Sequence, residues 1–437
     1  MQLKEMLRTT RFRSNGTALR FRLTESRARR EGVALSDQQI QTLARNALQR
    51  AAAGDFAGAE TMFTQVADAR PNSGQALHLL GQARLKLGRF ADAREPLERA
   101  AKFLPKDPAA QVNLAGCLTV LGEHAAALEA LDRAARLKPG DAVIAHNRGR
   151  SLEALGRFEE AERAYDEALA VDHRLMPSLS ARAGLLAARG DWMGALADLD
   201  MALTARPADA SLRLRRGELL LRQGDWLRGL GDYEARLELP GERYTPDLPR
   251  WQGEPPTGRL LIYPEQADID SDAAVRDTLM LARGVEAVVQ CADKLAEWLD
   301  GPTTRRGEPL DGFTAAAPLR SLPHLLGWTL ETLPAGALRP KARTPSHIGW
   351  FTQREPPPGL EVTRDPEQVA NCRFAVGDDL WPTHLAAGLG IRTVMLMATA
   401  ADWLWGPVLG KSPWYADLEL LAADDGGALA LRLEQLA

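Results

Sequence analysis

Cysteine is scarce in this chain of 437 residues, which has only three. Cys117, Cys291 and Cys372 lie far apart with no close-spaced pair, which excludes a disulfide framework or a thiolate zinc centre and suits a reducing compartment. No apolar run approaches the roughly 20 residues that span a bilayer, and the opening MQLKEMLRTTRFR lacks the apolar stretch of a secretory signal. An excess of one charge is missing too. The 54 Lys and Arg against 58 Asp and Glu leave a net charge of -4, too balanced for a partner that is duplex nucleic acid. The expectation is a soluble cytoplasmic protein with no membrane span, no nucleic-acid partner and no metal. Its 45% hydrophobic positions are enough to build two or three domains.

What charge there is lies unevenly. Residues 1–36 carry +6, residues 37–240 carry -1 and residues 241–437 carry -9. Eight of the ten tryptophans fall at or after Trp251, whereas the stretch before it is rich in Ala, Leu and Arg. Between the two regions, LPGERYTPDLPRWQGEPPTG is dense in proline and glycine and excludes a continuous helix or central strand. The chain therefore divides into a basic N-terminal arm or cap (1–36), a helical region (37–240), a linker (241–258) and a C-terminal domain (259–437).

A fixed period fills the helical region. Gly54, Gly88, Gly122, Gly156, Gly190 and Gly224 are each 34 residues apart. The same spacing recurs at Pro71, Pro105, Pro139 and Pro207, and at the small residues Gly81, Ala115, Gly149, Ala183 and Gly217. Small residues suit the crossing of two helices, glycine the turn between them, and proline the end of the second helix. Ala93, Leu97, Ala100 and Ala101 have the spacing of a buried helix face. This pattern resembles the tetratricopeptide repeat (TPR), a helix–turn–helix unit of this length. Six such repeats predict an α-solenoid, a right-handed superhelix held by nearest-neighbour contacts.

Such a solenoid presents a concave surface built from the first helix of each repeat, suited to a peptide or partner protein. Asn113 and Asn147 share one repeat position, and amides in a row can hydrogen-bond a peptide backbone without reading its sequence. The repeats resemble those of the O-linked N-acetylglucosamine transferase family, in which an asparagine ladder holds the acceptor polypeptide; two rungs are present here. Arg148, Arg182 and Arg216 form a second row. They suit an acidic partner or, equally, ion pairs with Glu and Asp on neighbouring repeats.

Beyond the linker, strand-like and helix-like segments alternate. RLLIY (259–263), EAVVQ (286–290), SHIGWF (346–351), CRFAVG (372–377) and RTVMLM (392–397) read as strands. Helices are expected from about Asp272 to Arg283, on to Leu299, from about Trp381 to Leu389, and from about Gly427. Alternation of this kind predicts parallel sheets with helices on their faces, here as two small Rossmann-like halves divided near 335–345. Ligands of such sheets bind at the carboxyl ends of strands.

The C-terminal region also resembles a bacterial group in which tetratricopeptide repeats run into a glycosyltransferase-B-like domain, related to heptosyltransferases; some members glycosylate flagellin. Trp226, Gly229, Tyr233 and Arg236 match its last repeat. WQGEPPTGRLLIYPEQ matches its opening, and PLRSLPHLLGWTLETLP (318–334) a later block. Asp379, His384, Leu385, Ala386, Gly390, Asp402, Trp403, Trp405, Ser412, Pro413, Trp414 and Tyr415 match its nucleotide-binding segment in order and spacing. The fold implied is an α/β, abbreviated GT-B-like double Rossmann domain after the solenoid.

From that resemblance the nucleotide-binding candidates are Asp379, His384, Ser412, Trp414, Glu265 and Gln266. No catalytic residue is assigned. A nucleotide diphosphate would sit at a helix N-terminus, where its charge is stabilised as it leaves. The residues also admit plainer readings: Asp379 as a helix cap, His384 as a packed core histidine, Arg276 as a surface ion pair, Lys411 as a solvated loop residue, and the aromatics of DWLWGPVLGKSPWY as core. The sequence departs from the group at several points. The group's Thr is Leu380, the two glycines after its first strand are lost in Glu265-Gln266-Ala267-Asp268-Ile269-Asp270, and a basic stretch before CRFAVG is missing.

Two functions follow from the resemblance and the departures. One is transfer of a sugar from a nucleotide donor, with no resident cofactor, to a Ser or Thr of a protein held by the repeats, flagellin among the candidates. The other is a non-catalytic scaffold or chaperone that keeps a degenerate transferase domain.

Overall fold

The computed structural model describes residues 35–241, 243–282, 286–333, 338, 346–358, 360–397 and 410–434. The basic arm, apart from Leu35 and Ser36, lies outside the described residues, as do Trp403 and Trp405 and most of the division expected near 335–345. The chain falls into two compact units, 1–202 and 203–437.

The first unit holds five helix pairs: α1 (Asp37–Ala52) with α2 (Phe56–Ala69), α3 (Gly74–Lys86) with α4 (Phe90–Phe103), α5 (Pro108–Val120) with α6 (His124–Leu137), α7 (Ala142–Ala154) with α8 (Phe158–Val171), and α9 (Met176–Ala188) with α10 (Trp192–Ala205), which runs across the boundary. Each pair turns at one of the 34-spaced glycines. Gly54, Gly88, Gly122, Gly156 and Gly190 all have φ between 73° and 88°, a left-handed conformation that only glycine adopts without strain. Ser36, Ser73, Asp107 and Asp141 cap the first helices through their side chains. At the crossings the need for small residues is direct, since a Cβ added to Gly149 would lie 2.4 Å from the ring of Tyr165. Ala93, Leu97, Ala100 and Ala101 are buried as the periodicity requires.

The second unit opens with the sixth pair, α11 (Ala210–Arg222) and α12 (Trp226–Tyr233), the latter continuing as a 3-10 turn to Glu238. Leu221, Trp226, Leu230 and Tyr233 join one core with Trp251, Ile262, Leu322 and Trp414. The sixth pair is thus part of this unit's interior, and so is Trp251 from the linker segment, whose backbone N–H donates to Ala316 O.

Two sheets follow. β1 (Arg259–Tyr263), β2 (Val288–Gln290), β3 (Thr303–Thr304) and β4 (Phe313–Pro318) form a parallel sheet in the order β3-β2-β1-β4. Its helices are α13 (Asp272–Leu281), α14 (Asp293–Ala296) and α15 (Leu322–Leu325). β5 (His347–Phe351), β6 (Val362–Thr363), β7 (Cys372–Gly377), β8 (Arg392–Met397), β9 (Gly410–Lys411) and β10 (Leu418–Ala422) form the other, in the order β6-β5-β7-β8-β10-β9. Among the described residues only the β9–β10 pairing in it is antiparallel. α16 (Trp381–Gly388) and α17 (Gly426–Glu434) accompany it. The region is thus an α/β arrangement of parallel sheets. The helix expected to reach Leu299 is a single turn, because β3 must return alongside β2 within a few residues. Among the described residues no helix is long and apolar enough to cross a membrane.

Candidate functional site

Glu265 and Gln266 follow the carboxyl end of β1 and Asp379 that of β7, Ser412 and Trp414 lie between β9 and β10, and α13 packs against α16. His384, fully buried on α16, places Nε2 2.8 Å from Asp379 Oδ1 and Nδ1 3.4 Å from the Tyr415 hydroxyl. Burial lowers the His384 pKa, although Asp379 opposes the shift, so the ring is neutral. Its one N–H goes to the carboxylate, and Nδ1 accepts from Tyr415. The other oxygen of Asp379 accepts from Arg276 Nη1 at 3.1 Å.

Arg276 also bonds Asp277 Oδ1 at 3.2 Å. Asp277 takes Arg320 along two bonds, of 2.7 and 3.1 Å, and Gln266 Nε2 at 2.7 Å. Arg320 Nη1 then donates to the Tyr233 hydroxyl at 2.9 Å. Burial works against the charge on Asp277, but the guanidinium groups of Arg320 and Arg276 outweigh it and hold its pKa below the usual carboxylate range. A continuous polar chain therefore runs from the sixth helix pair to His384. A parallel one joins Arg236 to Glu265 at 3.1 Å and to Ser321 Oγ at 2.8 Å, with Glu234 and Arg250 completing it.

These contacts correct two of the plainer readings. Arg276 is not a surface residue, since its side chain is 13% exposed and is bonded on both sides. Asp379 does not cap α16. The cap position is Leu380, which offers no side-chain bond, and the Asp379 carboxylate is turned to His384 and Arg276 instead. Ser412 Oγ accepts from the N–H groups of Trp414 and Tyr415 at 3.0 and 3.2 Å and so shapes their turn. Trp414 is buried, its ring 6.0 Å from that of Trp226. Glu265 Oε1, Gln266 Oε1 and Thr383 Oγ1 are buried with no hydrogen-bond partner.

On the helix pairs, the arginine row is engaged within the protein. Arg148 meets Asp132 and Glu167 at 2.8 and 3.1 Å, Arg182 meets Asp166 and Asp198 at 2.6 and 2.7 Å, and Arg216 meets Asp232 at 2.6 Å. Most of these partners lie 16 residues before or after the arginine, so the row ties first helices to the second helices beside them. Asn113 lies against His78 Nε2, and Asn147 is half-buried.

Models of the tetratricopeptide repeat match residues 44–108, 80–142 and 180–242, and a second model of that repeat matches 142–174. Residues from about 44 to 242 are tetratricopeptide repeats. The matches end there. Solved structures similar to part of the chain include TTC0263, a thermophilic TPR protein of Thermus thermophilus, 28% identical with a TM-score of 0.34, covering 42% of this chain and 99% of that one. Others are a tetratricopeptide repeat protein of Parabacteroides merdae (21% identical, TM-score 0.41, 47% of this chain and 81% of that one) and pilF of Pseudomonas aeruginosa (16% identical, TM-score 0.42, 47% and 94%). No curated protein matches the chain. As repeats of this kind the first half is a protein-interaction scaffold.

Sequence reasoning missed Asp277, Arg320 and Arg306. Asp277 follows Arg276, and Arg320 sits within the PLRSLP block, so both were in view without a sign of their pairing. Arg306 donates to the carbonyl oxygens of Pro264, Gln266 and Ala267 at 2.9, 2.7 and 2.6 Å and stacks on Tyr244 at 3.9 Å. It braces the turn after β1, where the resembling group has glycines.

Proposed function

We propose that this chain is a protein-binding scaffold: the repeats hold a partner protein in the cytoplasm, and the glycosyltransferase-like α/β region serves as a structural unit without sugar transfer. The observation that carries this reading is that the charged groups gathered beside the end of β7 are paired with one another. Asp379, Arg276, Asp277 and Arg320 are consecutive partners, His384 is sealed from solvent, and Trp414 is packed into the core. A diphosphate entering there would have to break buried ion pairs and face the carboxylates of Asp277 and Asp379. The free, buried cysteines accord with a reducing compartment. Calorimetric titration of the full chain with uridine diphosphate and UDP-sugars tests the reading. No heat at millimolar ligand is expected, and saturable binding would overturn it.

A second reading, transfer of a sugar to a Ser or Thr of a held protein such as flagellin, draws support from the unspent acceptors Glu265 Oε1 and Gln266 Oε1, which suit the hydroxyl groups of a sugar. Loss of partner glycosylation in cells on His384→Ala, with folding intact, would establish it over the scaffold.

A further inference from the structure

The first helices of the repeats leave one stripe unburied. In α3 it is formed by residues 75, 79, 82 and 86, and the equivalents at 34-residue intervals in α1, α5, α7 and α9 are likewise half-buried or exposed. This i, i+4, i+7, i+11 spacing is one helix face. α3, α5, α7 and α9 also pack on one another in succession, so the stripes lie side by side on the inner wall of the repeats.

The composition of this wall is lopsided. Across its twenty positions there is no Asp or Glu, and there are three cations, Arg45, Lys86 and Arg150. The whole chain has more acids than bases, so the asymmetry is local. Arg45 and Arg150 have no ion-pair partner among the described residues, in contrast to Arg148 and Arg157 on either side of Arg150. The charge of Arg150 is felt nearby, adding to burial in lowering the pKa of His146. The positions equivalent to Arg150 in the repeats on either side are Gly116 and Gly184. A Cβ added to Gly116 would meet nothing within 4 Å, so the stripe is open at that neighbouring position. The remainder of the wall is Ala, Val, Leu, Pro and amides, with no aromatic.

We infer that this wall receives an extended, acidic peptide segment of the partner protein, with Arg150 and Arg45 pairing its carboxylates. The inference rests on the scaffold reading and names the chemistry of what is held. Arg45 and Arg150, on a stripe whose twenty positions include no Asp or Glu, favour an anion, and neutral small side chains admit a peptide backbone. Single-stranded nucleic acid, the competing polyanion, is disfavoured by the lack of a ring on which a base can stack. The chain's own residues 1–36, at +6, are of the wrong sign to occupy it.

The test is fluorescence anisotropy of the full chain with a labelled twelve-residue Gly/Ser peptide carrying three Glu, its Gln and Lys counterparts, and oligodeoxythymidine of equal length. The Glu peptide is expected to bind about tenfold tighter than the Gln peptide at low salt and to weaken as salt rises. Arg150→Gln should remove about threefold of that preference, and Arg150→Glu should turn the preference toward the Lys peptide. Both lie on an exposed position, and a thermal melt checks that the fold is kept. Equal binding of the Glu and Gln peptides, or tightest binding of the oligonucleotide, would overturn the inference while the scaffold stands. Failure to bind any of the peptides at millimolar concentration would count against the scaffold itself.

Discussion

Arg320 grips Asp277 at two points, Nε on Oδ2 and Nη2 on Oδ1, with the carboxylate only 1% exposed. Removing one member of a buried pair leaves the others charged and unmatched, which costs about 3–5 kcal/mol. Asp277→Ala is therefore expected to lower the stability of the second unit by that order in urea denaturation. Because the folded pKa of Asp277 lies below its usual value, its contribution is present above about pH 4 and fades as pH falls through the ordinary carboxylate range toward the depressed value.

Helix crossing in the fourth repeat depends on Gly149, where an added Cβ would meet Tyr165 at 2.4 Å. Gly149→Ala should cost about 1–3 kcal/mol through overpacking, despite the better helix propensity of alanine. Gly116, also within a helix but with open space around it, is the control. Gly116→Ala should stabilise by about 0.5–1 kcal/mol. Thermal melts of the two variants should shift in opposite directions.

His146 bonds Ser178 at 3.0 Å and has its pKa lowered to about 4, mainly by burial and then by the charge of Arg150. A histidine with a depressed folded value takes up its proton more readily when unfolded. Stability is then complete above the ordinary value near 6.5 and falls as pH drops toward 4, by an amount on the order of 3 kcal/mol at most. His78 and His384 shift the same way and add to the trend. His146→Gln should flatten the pH dependence of the melting temperature between pH 6.5 and 4. An unchanged slope would refute the assignment.

Burial pushes the thiols of Cys291 and Cys372 up, to about 12 and 11, and Cys117 is buried and raised as well. None should react with a thiol reagent at pH 8 in the folded chain. All three should react at once in denaturant.

The repeats were legible because their requirements are local. A positive φ at Gly54 and its equivalents, and room for Tyr165 at Gly149, each demand glycine at a fixed spacing. The strands RLLIY, CRFAVG and RTVMLM showed through their branched and apolar runs. β4 and β10 did not, since the alanines of FTAAAP and all of LELLA are residues that favour helices, and pairing with β1 and β8 makes them strands. In the candidate site, His384 and Asp379 lie five residues apart and their meeting could be anticipated. Arg276 reaches Asp379 across 103 residues of sequence, and Arg320 reaches Tyr233 across 87. Nothing in local spacing announces either, which is why Arg276 read as a surface residue.

Tyr233 and Arg236, the end of the sixth repeat, are bonded into the sheet-bearing unit through Arg320 and Glu265. Whole 34-residue modules can thus be gained or lost by gene duplication upstream of residue 203 with each neighbour still finding its like. The sixth module has no such freedom: excising it would take Tyr233 from Arg320 and Arg236 from the buried Glu265 carboxylate, so any related chain that lengthens or shortens its solenoid should do so from the amino-terminal side.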